Sequence, residues 1–311
     1  MFSHAFILSG ITGRVKIGFS LPQFGSHARE GARIAQYAVE LEQAGADSLW
    51  VGDRLVAATN PTVGYGGSDS IPAEFNSILD PFVLLGIAGA ATERVRLGAN
   101  VLIAPLYPPA QLARSLTTID VVSQGRLIAG FGIGWSPEEY TASHVPFTHR
   151  GARLDETLDA LDAMWTTDPA GYTGRFVTVP EHRRELQPVR RPPIHLAAFN
   201  PAALARVGRR GDGWLPVVPV PGPPGWGKQL LALRAIIDDA AVAAGRDPEA
   251  IETVLRVNVA AGTDLDQVAA TIETVAADTG FDDFFVDLLY VSDSVDTMLD
   301  AALRLLARLR G

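Results

Sequence analysis

Strand-like and helix-like segments alternate along this chain from about residue 15 to its end, and that alternation narrows the folds open to it. Residues 15–21 (VKIGFSL) form a β-rich run closed by Pro22. Residues 28–43 follow with Ile34, Tyr37, Ala38 and Leu41 at helical spacing, stopped by Gly45. Further strands are predicted over 48–51, 95–99, 126–131, 193–198, 213–217, 251–260 and 283–289. Helices are predicted over 81–91, 110–122, 151–165, 201–208, 229–244, 265–277 and 295–309. The helix over 151–165 carries Leu154, Leu158, Leu161 and Trp165 on one stripe, the mark of a helix with a single buried face. About eight strand–helix units in strict order predict a parallel sheet, and eight repeats fit an α/β fold of the (β/α)8 TIM-barrel type. An open doubly wound sheet would show the same alternation, so the pattern by itself leaves both in play. Residues 1–14 read as an N-terminal extension and 15–311 as a single barrel domain.

Composition removes several functions. Lys and Arg number 26 against 35 Asp and Glu, a net charge of −9 that repels phosphate backbones and anionic lipid. Nucleic acid and membrane surfaces are therefore not expected partners, which leaves small molecules. Cysteine is absent, so disulfides, thiolate metal sites and a cysteine nucleophile are excluded, and the chain suits a reducing cytoplasm. The histidines (His4, His27, His144, His149, His182, His195) show no metal-ligand spacing, and no metal is expected. Neither a GxSxG elbow nor a GxxxxGK[ST] loop occurs. The apolar run at 81–92 is too short to cross a bilayer, and that at 97–113 is broken by Pro105, Pro108 and Pro109. The leading segment has an apolar patch at 5–8 but no basic start or cleavage site, so it does not read as a signal peptide.

Three stretches, 53–80, 135–150 and 166–192, are too long for plain connectors. The first two follow strands and so belong at the C-terminal mouth of a barrel, where active sites are built. The third holds Arg183, Arg184, Arg190 and Arg191 and is read as a small hairpin with a solvated basic face.

Five segments taken together resemble the luciferase-like monooxygenase family, in particular its deazaflavin (coenzyme F420)-dependent oxidoreductases. They are AGADSLWVGDR (44–54), RVRLGANVLIAP (94–105), SQGRLIAGFGIGW (123–135), RGARLDE (150–156) and PPIHLAAFNPAALARVGRRGDGWLP (192–216). The resemblance implies a (β/α)8 barrel of the bacterial-luciferase type with insertions in its loops. It implies an enzyme that moves a hydride between the deazaflavin and a small organic substrate, and a homodimer. The alternative within the family is an FMN-dependent monooxygenase that uses dioxygen and a separate flavin reductase.

The same resemblance places the site. It puts a cis peptide that backs the cofactor ring at Asn100–Val101; an ordinary strand end is the plain alternative. Gly132, Ile133 and Gly134 would let the backbone pass close to the ring or its ribityl chain, or would simply pack the barrel. They do not open a helix in the manner of a dinucleotide fingerprint; instead Ser136 is expected to cap a short helix with Pro137 at its first position and Glu139 completing a capping box. Ala198, Phe199 and Asn200 precede Pro201 at a predicted helix start, whose unpaired N–H groups suit a cofactor phosphate. Family glycines are replaced there by Ala197 and Ala198, and the neighbouring His195 fits a barrel histidine as well as a ligand-facing one.

The catalytic candidates are Asp53, Arg54 and Trp135. In the family's sugar-phosphate and alcohol dehydrogenases an Asp–His pair stands at 53–54 and an acidic residue at 135. Here Arg54 cannot serve as a base, and Trp135 carries no carboxyl. Reduction of an activated double bond is therefore favoured over alcohol oxidation, with the proton from solvent or from Tyr65 or Tyr107. Arg54 either holds an anionic or carbonyl group of the substrate or pairs with a local carboxylate. Trp50, Trp165 and Trp214 read as packing residues.

Overall fold

Parallel strands close into a ring of eight staves in the computed structural model, which describes residues 14–311. The expected extension at 1–14 lies, apart from Arg14, outside the described residues. In chain order the strands are β1 (Lys16–Ser20), β2 (Ser48–Val51), β3 (Arg96–Ala99), β4 (Leu102–Ile103), β5 (Leu127–Gly132), β6 (Ala170–Thr173), β7 (Thr178–His182), β8 (Ile194–Leu196), β9 (Gly213–Trp214), β10 (Val217–Val220), β11 (Glu252–Val259) and β12 (Asp283–Asp287). The ring runs β11-β12-β1-β2-β3-β5-β8-β9, and β9 pairs back onto β11. That last pairing excludes the open sheet. The third stave is interrupted: β3 ends at Ala99, β4 resumes at Leu102, and both pair with β5. The sixth is split into β9 and β10 at Pro216, which has no N–H to give a ladder.

The helices are α1 (Ile34–Gln43), α2 (Pro81–Ala91), α3 (Pro109–Val122), α4 (Pro137–Ala142), α5 (Arg150–Thr166), α6 (Pro201–Arg210), α7 (Trp226–Ala243), α8 (Leu265–Thr279) and α9 (Val295–Arg310). The first predicted helix is shorter than its pattern. Residues His27–Arg33 are a 3-10 segment with Glu30 outside helical φ/ψ, and the regular helix starts only at Ile34. Helices and strands trap one layer of core, in which Leu41, Leu85, Leu116, Leu161, Ile237 and Leu305 are fully buried. Burying each such side chain contributes about 1.5–3 kcal/mol. A second, smaller cluster fills the barrel itself: Trp50, Ile128, Leu215, Val254 and Phe285.

The two barrel ends differ. The N-terminal end is closed by charge, since Lys16, Arg96, Glu252 and Asp283 each open a strand and pair with one another. His195, wholly buried, stands 3.6 Å from Glu252. The C-terminal end is open and receives the long stretches 53–80 and 135–150, the second of which contains α4. The stretch 166–192 holds the expected hairpin, β6 against β7. Its turn runs back along α5, where Glu156 accepts from the N–H groups of Arg175, Phe176 and Val177. Of the arginines beyond the hairpin, Arg183 and Arg190 are exposed, as a solvated face requires, whereas Arg184 and Arg191 are half-buried. Arg184 donates to Met164 O, Arg190 to Gly125 O, and Arg191 to both Asp162 and Asp212.

Candidate active site

A cavity of about 550 Å³ opens at the C-terminal ends of the strands. Its floor is the stacked pair Trp50 and Phe285, ring centroids 4.6 Å apart and planes within 13°. Trp50 is thus more than packing. Its ring lies over Gly98, where a Cβ would come within 2.3 Å of Trp50 Cζ3, so only glycine leaves the indole its place. The indole N–H donates to Ser48 Oγ at 2.8 Å.

One side of the cavity is the break in the third stave. The Asn100–Val101 peptide is cis and non-prolyl, at the position the resemblance implies. Both residues line the cavity. Asn100 is held by its N–H on Val51 O at 2.8 Å, while its side-chain Nδ2 is buried with no partner among the described residues. Gly132 lies behind this rim, with room only for hydrogen against Val101 Cγ2 (2.6 Å from a built Cβ). Ile133 sits behind it too, its carbonyl accepting from Tyr140 at 2.6 Å. Gly134, at φ +61°, and Trp135 reach the cavity wall.

The opposite side comes from β11 and β12. Arg256 pairs with Asp287, which also accepts from Ser20 Oγ at 3.1 Å. Arg256 Nη1 reaches Asn100 O at 3.5 Å, so this guanidinium spans from Asp287 to the rim. Arg256 Nε and Asn258 Oδ1 are buried without partners among the described residues. None of these residues stands out in the sequence, because a charge inside a strand acquires meaning only when closure brings β11 opposite β3.

Asp53, Arg54 and Trp135 all line the cavity. Asp53 Oδ2 accepts from Ile103 N–H at 2.8 Å and from the Tyr107 hydroxyl at 2.9 Å. Burial outweighs those hydrogen bonds and pushes its carboxyl up to about 6. Of the two tyrosines considered as proton sources, Tyr107 is committed to Asp53, and Tyr65 lines the cavity between Phe75 and Trp135. Arg54 is buried and its guanidinium lies 4.3 Å from the Trp135 ring centroid. It stands 3.7 Å from Glu139 Oε2, the local pairing among its two expected roles, while its Nε and Nη2 are buried with no hydrogen-bond partner among the described residues. Glu139 comes from α4 and also accepts from Leu55 N–H at 2.7 Å. The capping box expected for this helix does not form: Ser136 Oγ turns to Glu138, and Glu139 turns to Arg54.

The start of α6 sits beside the cavity. Asn200 Oδ1 caps Ala203 N–H at 3.0 Å with Pro201 at the first helical position. Ala198 is buried behind, its carbonyl accepting from Trp214 Nε1, whereas Ala197 and the exposed Phe199 reach the wall. His195 lies in the barrel, its ring packed on Gly213.

Known proteins share this architecture. The phthiodiolone/phenolphthiodiolone dimycocerosates ketoreductase of Mycobacterium tuberculosis is 32% identical over 240 residues, 74% of this chain and 61% of the ketoreductase. The chain thus spans about three-fifths of that relative's length. An F420-dependent secondary alcohol dehydrogenase solved with an F420–acetone adduct superposes with a TM-score of 0.72, at 17% identity, over 96% of this chain and all of that one. A riboflavin lyase solved with modified FMN superposes with a TM-score of 0.73, at 15% identity, over 95% of this chain and 92% of that one. At such identities the structures show the fold. Residues 15–294 match the family described as luciferase-like monooxygenase, and the chain belongs to that family.

Proposed function

We propose that this protein is a coenzyme F420-dependent oxidoreductase that transfers a hydride between the deazaflavin and a small organic substrate, working as a reductase. The observation that carries this reading is the set of unpartnered polar atoms around the aromatic floor: Asn100 Nδ2, Arg256 Nε and Asn258 Oδ1. Each buried polar atom without a partner costs about 1–3 kcal/mol. A flat ring with an imide-like edge supplies both acceptors and a donor to such a set, and its face suits Trp50 and Phe285. The residues present therefore fit a flavin-type group, which when bound supplies the two-electron chemistry.

The chain's own residues do the rest. Asn100 and Val101 would wall one side of the ring, with Gly134 packed close against Ile103 on that same side. The first-turn amides of α6, ordered by the Asn200 cap, suit a phosphate, with Ala198 and Phe199 shaping the approach. Trp135 and Tyr65 cover the mouth and exclude water. Asp53, pushed up to about 6, holds a proton at its carboxyl in mildly acid solution, within the cavity, and Tyr107 orients that carboxyl. With Arg54 bound to Glu139, no imidazole or free base stands at the position the family's alcohol dehydrogenases use. Reduction of a carbonyl or another activated double bond fits these groups better than alcohol oxidation, and the ketoreductase relative supports that direction.

Titrating the protein with F420 and, separately, with FMN while following fluorescence quenching tests the cofactor. Saturable tighter binding of F420 is expected. Preference for FMN would replace this reading with that of a flavin monooxygenase.

A further inference from the structure

Arg54 is a cation on the cavity wall with one edge empty. It follows β2 and lines the cavity, yet only 6% of the residue is exposed. Its guanidinium carbon lies over two aromatic rings, 4.3 Å from the Trp135 centroid and 5.3 Å from that of Phe75. Both rings belong to the wall. They steady the plane of the guanidinium and give its N–H groups no oxygen to bond. The one carboxylate within ion-pair distance among the described residues, that of Glu139, stands 3.7 Å from Nη1. At that distance the pair has no hydrogen bond, and Glu139 Oε2 has no other partner among the described residues. Nε and Nη2, the two nitrogens of the edge that excludes Nη1, are buried and unpartnered.

Such an edge holds two neighbouring N–H donors in one plane, and it bonds either a single oxygen or a carboxylate. Charge decides between them. Asp53 and Asp287 line the same cavity and Glu139 adjoins it, against the guanidiniums of Arg54 and Arg256. Three carboxylates to two cations leave no surplus positive charge for an incoming anion, in a chain of net charge −9. The wall also carries Phe24, Val63, Leu289 and Met298, which suit an apolar body.

We propose that the free edge of Arg54 is the subsite for the carbonyl oxygen of an uncharged, apolar ketone. The inference rests on the reductase reading above and names its substrate class. In the reduction, a hydride from the reduced deazaflavin forms the new C–H bond, the π pair of the C=O bond moves onto oxygen, and that oxygen takes a proton to give the alcohol. Held on the Arg54 edge, the oxygen gains its negative charge beside a fixed, buried cation, so the contact strengthens as the reaction proceeds.

Isothermal titration calorimetry on the full chain, alone and with saturating F420, tests this with three probes of similar shape: benzylacetone (a ketone), hydrocinnamate (a carboxylate) and butylbenzene (without oxygen). Wild type is compared with Arg54→Lys, which keeps the charge beside Glu139 but loses the two-donor edge, and with Arg54→Met/Glu139→Gln, which removes both charges together and strands neither. Wild type is expected to bind benzylacetone about tenfold or more tighter than hydrocinnamate, and both variants to lose about tenfold or more in benzylacetone affinity, the scale of a lost hydrogen bond to a charged group. Both variants are expected to bind butylbenzene within about twofold of wild type, which also shows that the cavity has folded. Unchanged benzylacetone affinity in the variants would overturn the subsite. Equal losses toward benzylacetone and butylbenzene would overturn it too, as the mark of a general packing role. Tighter wild-type binding of hydrocinnamate than of benzylacetone would overturn the ketone class. If wild type binds F420 but no benzylacetone, the subsite falls and the cofactor reading stands. If it binds benzylacetone through Arg54 but no F420, the cofactor reading falls and the subsite stands.

Discussion

Asp53 concentrates most of the site's chemistry in one side chain. Burial pushes its carboxyl up to about 6, against hydrogen bonds from Ile103 and Tyr107 that favour the ionised form. As a proton donor in reduction it works while protonated, so kcat/KM for the reduction is expected to fall as pH rises through about 6. Replacing Asp53 with Asn should lower kcat by about 10²–10⁴-fold and remove that limb, the range for a lost general acid. Tyr107→Phe should move the limb to higher pH, because the lost hydroxyl donates to the carboxylate and stabilises its charge. A pH–rate profile for each variant checks both outcomes, and an unmoved limb in Tyr107→Phe would show that another group titrates. Asp53 and Arg54 were legible in the sequence because they stand together after one strand, where the family resemblance puts an Asp–His pair from which Arg54 departs. The partner of Arg54 was not. Glu139 lies far along the chain in a helix whose sequence spells a capping box, and only the folded mouth shows that its carboxylate has a stronger claim from Arg54 and the Leu55 N–H.

At the scale of elements, strands were the easiest part to read, since buried parallel strands are short continuous apolar runs bounded by helix signals. Breaks within staves were harder. Pro216 divides the sixth stave into β9 and β10, although residues 213–217 read as one run. The third stave's break at Asn100–Val101 was legible only through the family resemblance, as nothing in GANV itself distinguishes it from an ordinary strand end. Gly98, just before that break, makes a sharper point. Its missing Cβ is what lets Trp50 lie flat on Phe285. Gly98→Ala should tip the indole from the cavity floor, since backbone within a barrel strand cannot retreat. Overpacking of this kind typically costs about 1–3 kcal/mol. The variant is expected to remain folded, with a lowered Tm, and to lose most of its cofactor affinity. Calorimetry and a cofactor titration on the same sample check this, and unchanged affinity would remove Trp50 from the floor of the site.

The whole molecule divides its labour between the two ends of one barrel: chemistry at the open mouth, charge at the closed base. The base holds Lys16, Arg96, Glu252, Asp283 and His195 in a small volume, and two of these titrate against each other's sense. Burial lowers His195 to about 4, against the attraction of Glu252. The unfolded chain therefore takes up that proton first, near 6.5, and the stability present above 6.5 is lost as pH falls toward 4. Burial raises Asp283 to about 7 despite its cationic neighbours. Its contribution runs the other way, full at low pH and lost as pH rises from the ordinary carboxylate range through about 7. In the window between, the two slopes oppose, which predicts a flat stability profile over mildly acid pH. His195→Leu should remove one of the slopes. Relative to wild type, the variant is expected to gain up to roughly 3 kcal/mol between pH 7.5 and pH 4, the free energy of a 2.5-unit shift. Urea unfolding at both pH values measures the difference independently of any fixed packing cost of the leucine, because that cost is common to both conditions. An equal stability difference at the two pH values would show that folding leaves the titration of this histidine unshifted.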